Sequence, residues 1–283
     1  MNVGQAYRTG RKILEDAGVD SPAFDAGCLF KKVFGLSLQE RIIQSENEAG
    51  MQKAKRFLAL AHERAGGRPL QYIIGEWPFL DFTLEVGEGV LIPREETELL
   101  VRTAAQMLKN VEKPVIVDLC SGSGAVAIGL ASLLPDARIA AVEKYGEALS
   151  YLRRNIEKTG FREVRPVHAD VFSAEEARRF PALDAVVANP PYVRSGEIAS
   201  LQREVQREPE QALDGGEDGL AFYRAIAGLW LPHIKPGGAA AVEIGEGQAE
   251  DVKKILDHFM ENVRIIRDFN GFERVVCGIR RHT

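Results

Sequence analysis

Cysteine is scarce in this sequence: Cys28, Cys120 and Cys277 are the three in 283 residues, and they lie far apart. There is no C-x-x-C spacing and no even count, so neither a disulfide framework nor a zinc site is expected, and no other metal site is proposed. A reducing cytoplasm fits. No run approaches the ~18 apolar residues that a membrane helix needs, and the N-terminus lacks the apolar core of a signal peptide. Basic charge is also in short supply. Lys and Arg total 36 against 41 Asp and Glu, a net charge of −5. That argues against a broad nucleic-acid surface, which needs clustered cations, while leaving a local basic patch open. Internal repeats and low-complexity segments are absent. What remains is 45% apolar and 27% charged, the composition of a soluble globular protein, with length for one large or two ordinary domains.

Residues 1–70 read as a small helical domain. Val3, Ala6, Tyr7, Ile13, Leu14 and Ala17 follow helical spacing up to Gly18, and Ser21-Pro22 can start a second helix. Ser37 caps a short third helix, and Met51 to Arg64 forms a longer one. Residues 71–92 change character. The aromatic, alternating run from Gln71 to Val86 reads as a β-hairpin or extended linker. From residue 93 to 283, strands and helices alternate. Strands are expected at Val115–Leu119, Ala137–Val142, Val164–His168, Leu183–Ala188 and Ala239–Ile244, and two closing strands flank Asn270-Gly271. This pattern predicts an α/β fold: a doubly wound, mostly parallel sheet with an antiparallel hairpin at one edge, behind a small N-terminal all-α domain.

Ligands of such sheets bind at the carboxyl ends of the strands. Cys120-Ser121-Gly122-Ser123-Gly124 follows the Val115–Leu119 strand and precedes a helix, the order of a nucleotide-binding loop. It lacks both the G-x-G-x-x-G spacing and the Walker lysine. Asp118 would repel a pyrophosphate but could receive an ammonium group. Glu143 closes the next strand and suits ribose hydroxyls, and Asp170, after the third, is placed for an adenine amino group. A ligand with an amine, a ribose and no phosphates fits, and S-adenosylmethionine is that ligand.

Asn189-Pro190-Pro191-Tyr192 follows the Leu183–Ala188 strand. Asn189 offers a carbonyl oxygen. The two prolines lack N–H groups and fix the backbone, so the Pro190 carbonyl is held beside that oxygen. Two converging acceptors suit a substrate –NH₂ group, and Tyr192 adds a flat face for stacking. As a methyl group transfers, positive charge develops on the nitrogen, and the two oxygens stabilise it more than they do the ground state.

These residues resemble the N-methyltransferases of the class I, Rossmann-like, S-adenosylmethionine-dependent group. Pro69-Leu70-Gln71-Tyr72-Ile73-Ile74-Gly75, Leu91-Ile92-Pro93-Arg94-Glu95-Glu96-Thr97-Glu98 and Leu213-Asp214-Gly215-Gly216-Glu217-Asp218-Gly219-Leu220 narrow the resemblance to the HemK/PrmC family, the peptide chain release factor glutamine N5-methyltransferases. It covers essentially the whole chain. It implies that the substrate is the glutamine of the Gly-Gly-Gln tripeptide in class I release factors, and that S-adenosyl-L-homocysteine is the second product. It implies that Cys120, Ser121, Gly122, Ser123, Gly124, Glu143, Asp170 and Val171 hold the cofactor, and that Asn189 touches cofactor and substrate. The helical domain would then recognise the release factor. Three positions depart from the family pattern: Cys120 stands where a glycine is frequent, Glu143 where aspartate is commoner, and Glu95 where proline is frequent. The resemblance is not extended to a catalytic role for Arg94 or Thr97. The alternatives are methylation of a ribosomal-protein glutamine, methylation of an exocyclic amine of adenine or guanine, which needs base flipping, and a cofactor-binding module without activity.

Overall fold

A computed structural model describes residues 1–180 and 182–282. The chain forms two compact units. One comprises Met1–Glu76 with Gln202–Arg207, the other Trp77–Leu201 with Glu208–Thr283.

The first unit is helical. α1 (Val3–Asp16) begins with a capping box in which Asn2 and Gln5 exchange side-chain and backbone hydrogen bonds. α2 (Pro22–Phe34) has proline in its first turn, but the Ser21 side chain makes no cap bond. α3 (Leu38–Ile43) starts from a Ser37/Glu40 capping box, and α4 (Met51–Ala65) follows. The core is aromatic. Phe30 stacks on Phe34 at 4.0 Å, and Phe57 meets Phe30 edge-on at 5.1 Å. Arg64, 4% exposed, donates to Asp25 at 2.6 Å and also to Glu204, whose segment returns to this unit from far along the chain. One expectation fails locally. Leu70–Ile74 is a short helix, α5, rather than part of a strand. Pro69 precedes it and Gly75, at φ +82°, closes it, while Leu70, Tyr72 and Ile73 are buried. Burial overrides the β-propensity of the tyrosine and isoleucines.

The hairpin of β1 (Glu76–Phe79) and β2 (Phe82–Glu85) forms its own two-stranded sheet. The second unit continues with α6 (Glu96–Leu108), β3 (Val115–Leu119), α7 (Ala125–Leu133), β4 (Arg138–Glu143), α8 (Gly146–Thr159), β5 (Val164–His168), α9 (Ala174–Ala177) and β6 (Leu183–Ala188). α10 (Ala221–Ala225), β7 (Ile234–Glu243), α11 (Ala249–Asp257), β8 (Met260–Arg267) and β9 (Glu273–Arg280) complete it. The main sheet has seven strands in the order β5-β4-β3-β6-β7-β9-β8. It is parallel as far as β7, and β9 runs antiparallel to both β7 and β8. The predicted edge hairpin is thus present.

Strand residues alternate between two cores. Ile116 belongs to one core with Leu100, Ile128 and Leu152, whereas Val117 belongs to the other with Tyr223, Trp230 and Val252. The strand begins at Ile234 rather than Ala239 because Leu183 pairs with Ile234 and Ala185 with Ala239, which leaves Lys235–Gly238 bulged out. α10 is α-helical only over Ala221–Ala225 and continues as a π-turn over Ile226–Trp230. Registers Leu119↔Ala188 and Ala188↔Val242 level the carboxyl ends of β3, β6 and β7. Among the described residues no helix is long and apolar enough to cross a membrane, and no cluster of His, Cys, Asp or Glu could hold a metal ion.

Candidate active site

The turn after β3 is built from left-handed backbone. Cys120, Gly122 and Gly124 have φ of +60°, +54° and +90°. The Ser121 amide donates to the Val142 carbonyl at 3.0 Å, tying the turn to β4. The Gly122 amide donates to Glu143 Oε2 at 2.9 Å, and Tyr145 N donates to Glu143 Oε1 at 2.8 Å. Asn155 braces the turn from behind, donating to the Ser123 carbonyl at 2.9 Å. A Cβ on Gly124 would lie 2.6 Å from Leu152 Cδ1, so this position is closed to side chains. A Cβ on Gly122 would meet nothing nearer than Val90 Cγ2 at 4.0 Å. The space above Gly122 is open.

That space belongs to a cleft at the carboxyl ends of the strands. Cys120, Ser121, Gly122, Ser123, Glu143, Asp170, Val171, Asn189 and Pro191 all line it. Gly124 lies beneath the turn as the N-cap of α7. Pro190 is buried and Tyr192 half-buried, and neither is part of the lining. Asp118 departs from expectation. It is 0% exposed and outside the lining; its Oδ2 accepts from Ala127 N at 3.2 Å, and its Oδ1 has no partner among the described residues. Burial pushes its pKa up to about 8. Direct contact with an ammonium group in the cleft is thereby ruled out, because the carboxyl supports the turn from below. Burial also raises Glu143 and outweighs the amides of Tyr145, Gly122 and Lys144 that favour its charged form. Asp170 differs. Burial raises it, but the Lys144 ammonium at 2.9 Å and the Phe172 amide more than offset this, and its carboxyl sits below the usual range.

Sequence reasoning missed several parts of the site. Phe172 and Phe222 line the cleft with ring centroids 4.8 Å apart at 67°. Thr97, from the first turn of α6, accepts from Asn189 Nδ2 at 3.1 Å. Glu208, 5% exposed, accepts from Ile92 N at 3.0 Å and pairs with Arg94, which pins Pro209–Ala212 over the lining. The one sequence signal for these was the Leu91–Glu98 stretch, whose side chains carried no assignable chemistry alone. Trp230 Nε1 donates to the Val171 carbonyl at 2.8 Å and fixes the Asp170-Val171 step. The Leu213–Leu220 stretch braces the Asn189–Tyr192 motif. Val193 N donates to the Leu213 carbonyl at 2.9 Å and Gly215 N to the Val193 carbonyl at 2.7 Å, and a Cβ on Gly215 would fall 2.7 Å from Tyr192 Cα.

Comparison with known proteins matches this arrangement. A family model described as the PrmC N-terminal domain matches residues 5–75, and one described as the methyltransferase small domain matches residues 95–218. The chain is 34% identical over 284 residues to the release factor glutamine methyltransferase of Moorella thermoacetica, covering 99% of each. It is 35% identical over 281 residues to that of Chlorobaculum tepidum, covering 96% of this chain and 95% of the other. Among solved structures it is similar to the 16S rRNA N2 G1207 methyltransferase of T. thermophilus in complex with AdoMet and guanosine. There the TM-score is 0.52 at 17% identity, covering 73% of this chain and 50% of that one, a likeness of fold alone.

The sheet order, the glycine turn and the Asn-Pro-Pro-Tyr motif at the end of β6 define a class I, Rossmann-like methyltransferase. The chain belongs to the release factor glutamine methyltransferase family. The cleft fits S-adenosylmethionine, the methyl donor of this class. It has open room over Gly122 for a ligand, carboxylates on Glu143 and Asp170 for hydroxyl and amino groups, and two aromatic rings beside them.

Proposed function

We propose that the cleft transfers a methyl group from S-adenosylmethionine to N5, the side-chain amide nitrogen, of the glutamine in the Gly-Gly-Gln tripeptide of class I peptide chain release factors. Full-length similarity to named release factor glutamine methyltransferases supports the substrate. The observation that carries the chemistry is the orientation of Asn189. Its Nδ2 is tied back to Thr97 Oγ1 at 3.1 Å, which leaves its oxygen to the cleft that Asn189 lines.

Bound S-adenosylmethionine supplies an electrophilic methyl group. Asn189 Oδ1 accepts one hydrogen of the glutamine amide, and the Pro190 carbonyl the other. An amide lone pair is delocalised, and holding both hydrogens fixes where it can emerge. The two oxygens also stabilise the positive charge that grows on the nitrogen. Tyr192 and Pro191 hold the motif, and the proton leaves to water after transfer. Glu143 would receive the ribose hydroxyls, the Asp170-Val171 step would hold the adenine edge beside Phe172 and Phe222, and residues 120–123 would carry the remainder of the cofactor. The helical unit recognises the release factor in the cytoplasm, where three free cysteines are at ease. The net charge of −5 disfavours a nucleic-acid substrate.

The test is methyl transfer from labelled S-adenosylmethionine to a purified release factor, beside its Gly-Gly-Gln→Gly-Gly-Ala variant. Label on the wild-type factor alone is expected. Label on neither, with cofactor binding intact, overturns the substrate assignment and moves the assay to ribosomal proteins and then nucleic acid. Asn189→Ala is expected to lower kcat by about 10²- to 10³-fold, the scale of losing one preorganised polar contact to developing charge.

A further inference from the structure

β6 and β7 are parallel neighbours with Ala188 in register with Val242, so Asn189 and Glu243 leave the sheet side by side. Thr97 bridges them. Its Oγ1 accepts from Asn189 Nδ2 at 3.1 Å, and its hydroxyl stands at the Glu243 carboxyl, where it favours the ionised form. Thr97 and Glu243 are each 2% exposed, and Glu243 Oε2 has no partner among the described residues. Glu243 does not line the cleft and takes no direct part in the transfer proposed above. A buried carboxyl with an unused oxygen costs stability, so its retention beside Asn189 asks for a role.

We infer that Thr97 and Glu243 are positioning residues: ionised Glu243, acting through the Thr97 hydroxyl, fixes which end of the Asn189 amide faces the substrate. This rests on Asn189 serving as the acceptor for the substrate amide. A carboxylate only accepts hydrogen bonds, so the Thr97 hydroxyl must donate to it. Thr97 Oγ1 then has only lone pairs left for Asn189, which must turn its NH₂ toward Thr97 and its oxygen toward the cleft. A protonated Glu243 can itself donate to Thr97. The Thr97 hydrogen is then released toward Asn189, and the amide can present its NH₂ to the substrate NH₂, two donors with no acceptor between them.

Several groups face the Glu243 carboxyl. Burial and Glu96 of α6 favour its neutral form; the Thr97 hydroxyl, Arg274 of β9 and Arg94 favour the ionised one, and the balance lies at about 7. Tyr192 also faces it but stays neutral, its pKa pushed up to about 12 by burial. Tyr223, likewise raised by burial, donates to the Glu243 backbone carbonyl at 2.9 Å rather than to the carboxyl. Since the ionised form is the competent one, kcat should fall about tenfold per pH unit below pH ~7 and level off above it.

The experiment measures kcat and the KM for S-adenosylmethionine with a release factor from pH 5.5 to 9 (roughly 1.5 to 2 units either side of the transition). It uses the wild type, Glu243→Gln, Thr97→Val and Thr97→Ser. Glu243→Gln should lower the kcat plateau about 10- to 100-fold and abolish the acid limb, with the KM for cofactor unchanged. Thr97→Val should behave alike, and Thr97→Ser, which keeps the hydroxyl, should restore both rate and limb. The inference is overturned if Glu243→Gln keeps the wild-type plateau and limb, or if Thr97→Ser falls as far as Thr97→Val. A second readout needs no substrate and covers a variant that fails to fold. The side-chain ¹⁵N resonance of Asn189 should shift with one midpoint near pH ~7 in the wild type and stay flat in Thr97→Val. A flat wild-type resonance sinks the relay. A titrating resonance in an enzyme that never labels a release factor sinks the substrate assignment and leaves the relay standing.

Discussion

Gly122 and Gly124 share left-handed backbone but not surroundings, and the difference separates binding from folding. At Gly124 an added methyl would meet Leu152 Cδ1 at 2.6 Å and Ile128 Cδ1 at 3.2 Å. Gly124→Ala should therefore lose about 2–4 kcal/mol, combining left-handed strain with overpacking, seen as a lower urea midpoint. At Gly122 the same methyl projects into open space, with Val90 Cγ2 the nearest atom at 4.0 Å. Gly122→Ala should cost only the backbone strain, about 1–2 kcal/mol, yet weaken cofactor binding at least tenfold by titration calorimetry. Equal losses of affinity at matched stability would refute the view that the cofactor lies over Gly122. Cys120 already bears such strain at φ +60°, and its side chain lines the cleft that a glycine there would leave wider.

At the scale of elements, the Leu213–Leu220 stretch shows how a loop without periodicity can be fixed. Gly215 has ordinary backbone angles, so its small size matters for packing: a Cβ there would fall 2.7 Å from Tyr192 Cα and 2.9 Å from the Pro191 carbonyl. Gly215→Ala should displace the Pro191-Tyr192 backbone and lower kcat about 10²-fold, the scale of a 1 Å misplacement, while circular dichroism stays native. A normal kcat would mean the brace does not position the motif. This also explains what the sequence made legible. Val115–Leu119 and Leu183–Ala188 are mostly apolar runs closed by turn formers, whereas Val164–His168 is a mixed run with two valines, and all three strands have those limits. The glycine turn, Glu143, Asp170 and Asn189 follow from standing at strand ends. The shape of the 193–219 segment was not legible, because it comes from Glu208 reaching Ile92 and from glycines packed on a distant backbone. Asp118 looked like a ligand because strand alternation does not say how deep a carboxyl lies. Glu243 stayed hidden because only the β6–β7 register sets it beside Asn189, and Thr97 because only the placement of α6 brings it there.

For the whole molecule, buried acids set how stability depends on pH. In the folded chain Asp118 is raised to about 8 and Glu243 to about 7, both by burial first, from ordinary values of 3.8 and 4.5. Between the unfolded and folded values the native state binds more protons than the unfolded one, so stability falls as pH rises. The loss begins near the unfolded carboxylate range and is complete only above pH 8. Asp170 and Asp268 have the opposite sign. Their lowered values stabilise the fold above the usual carboxylate range, and this contribution is lost as pH falls through the lowered value. Stability should therefore peak near pH ~5 and decline toward alkaline pH. Asp118→Asn isolates the larger contribution. Its amide oxygen can still accept from Ala127 N, although its NH₂ enters the place of an oxygen that has no partner among the described residues, so its stability at pH 5 need not exceed the wild type's. What must change is the slope. The fall in melting temperature from pH 6 to pH 9 (about three units across the raised pKa) should be clearly smaller in Asp118→Asn than in the wild type, by calorimetry without cofactor. Glu243 remains to titrate, so the slope should shrink without vanishing. Parallel curves would show that Asp118 keeps its charge throughout this range and that the turn it supports rests on an ionised carboxylate.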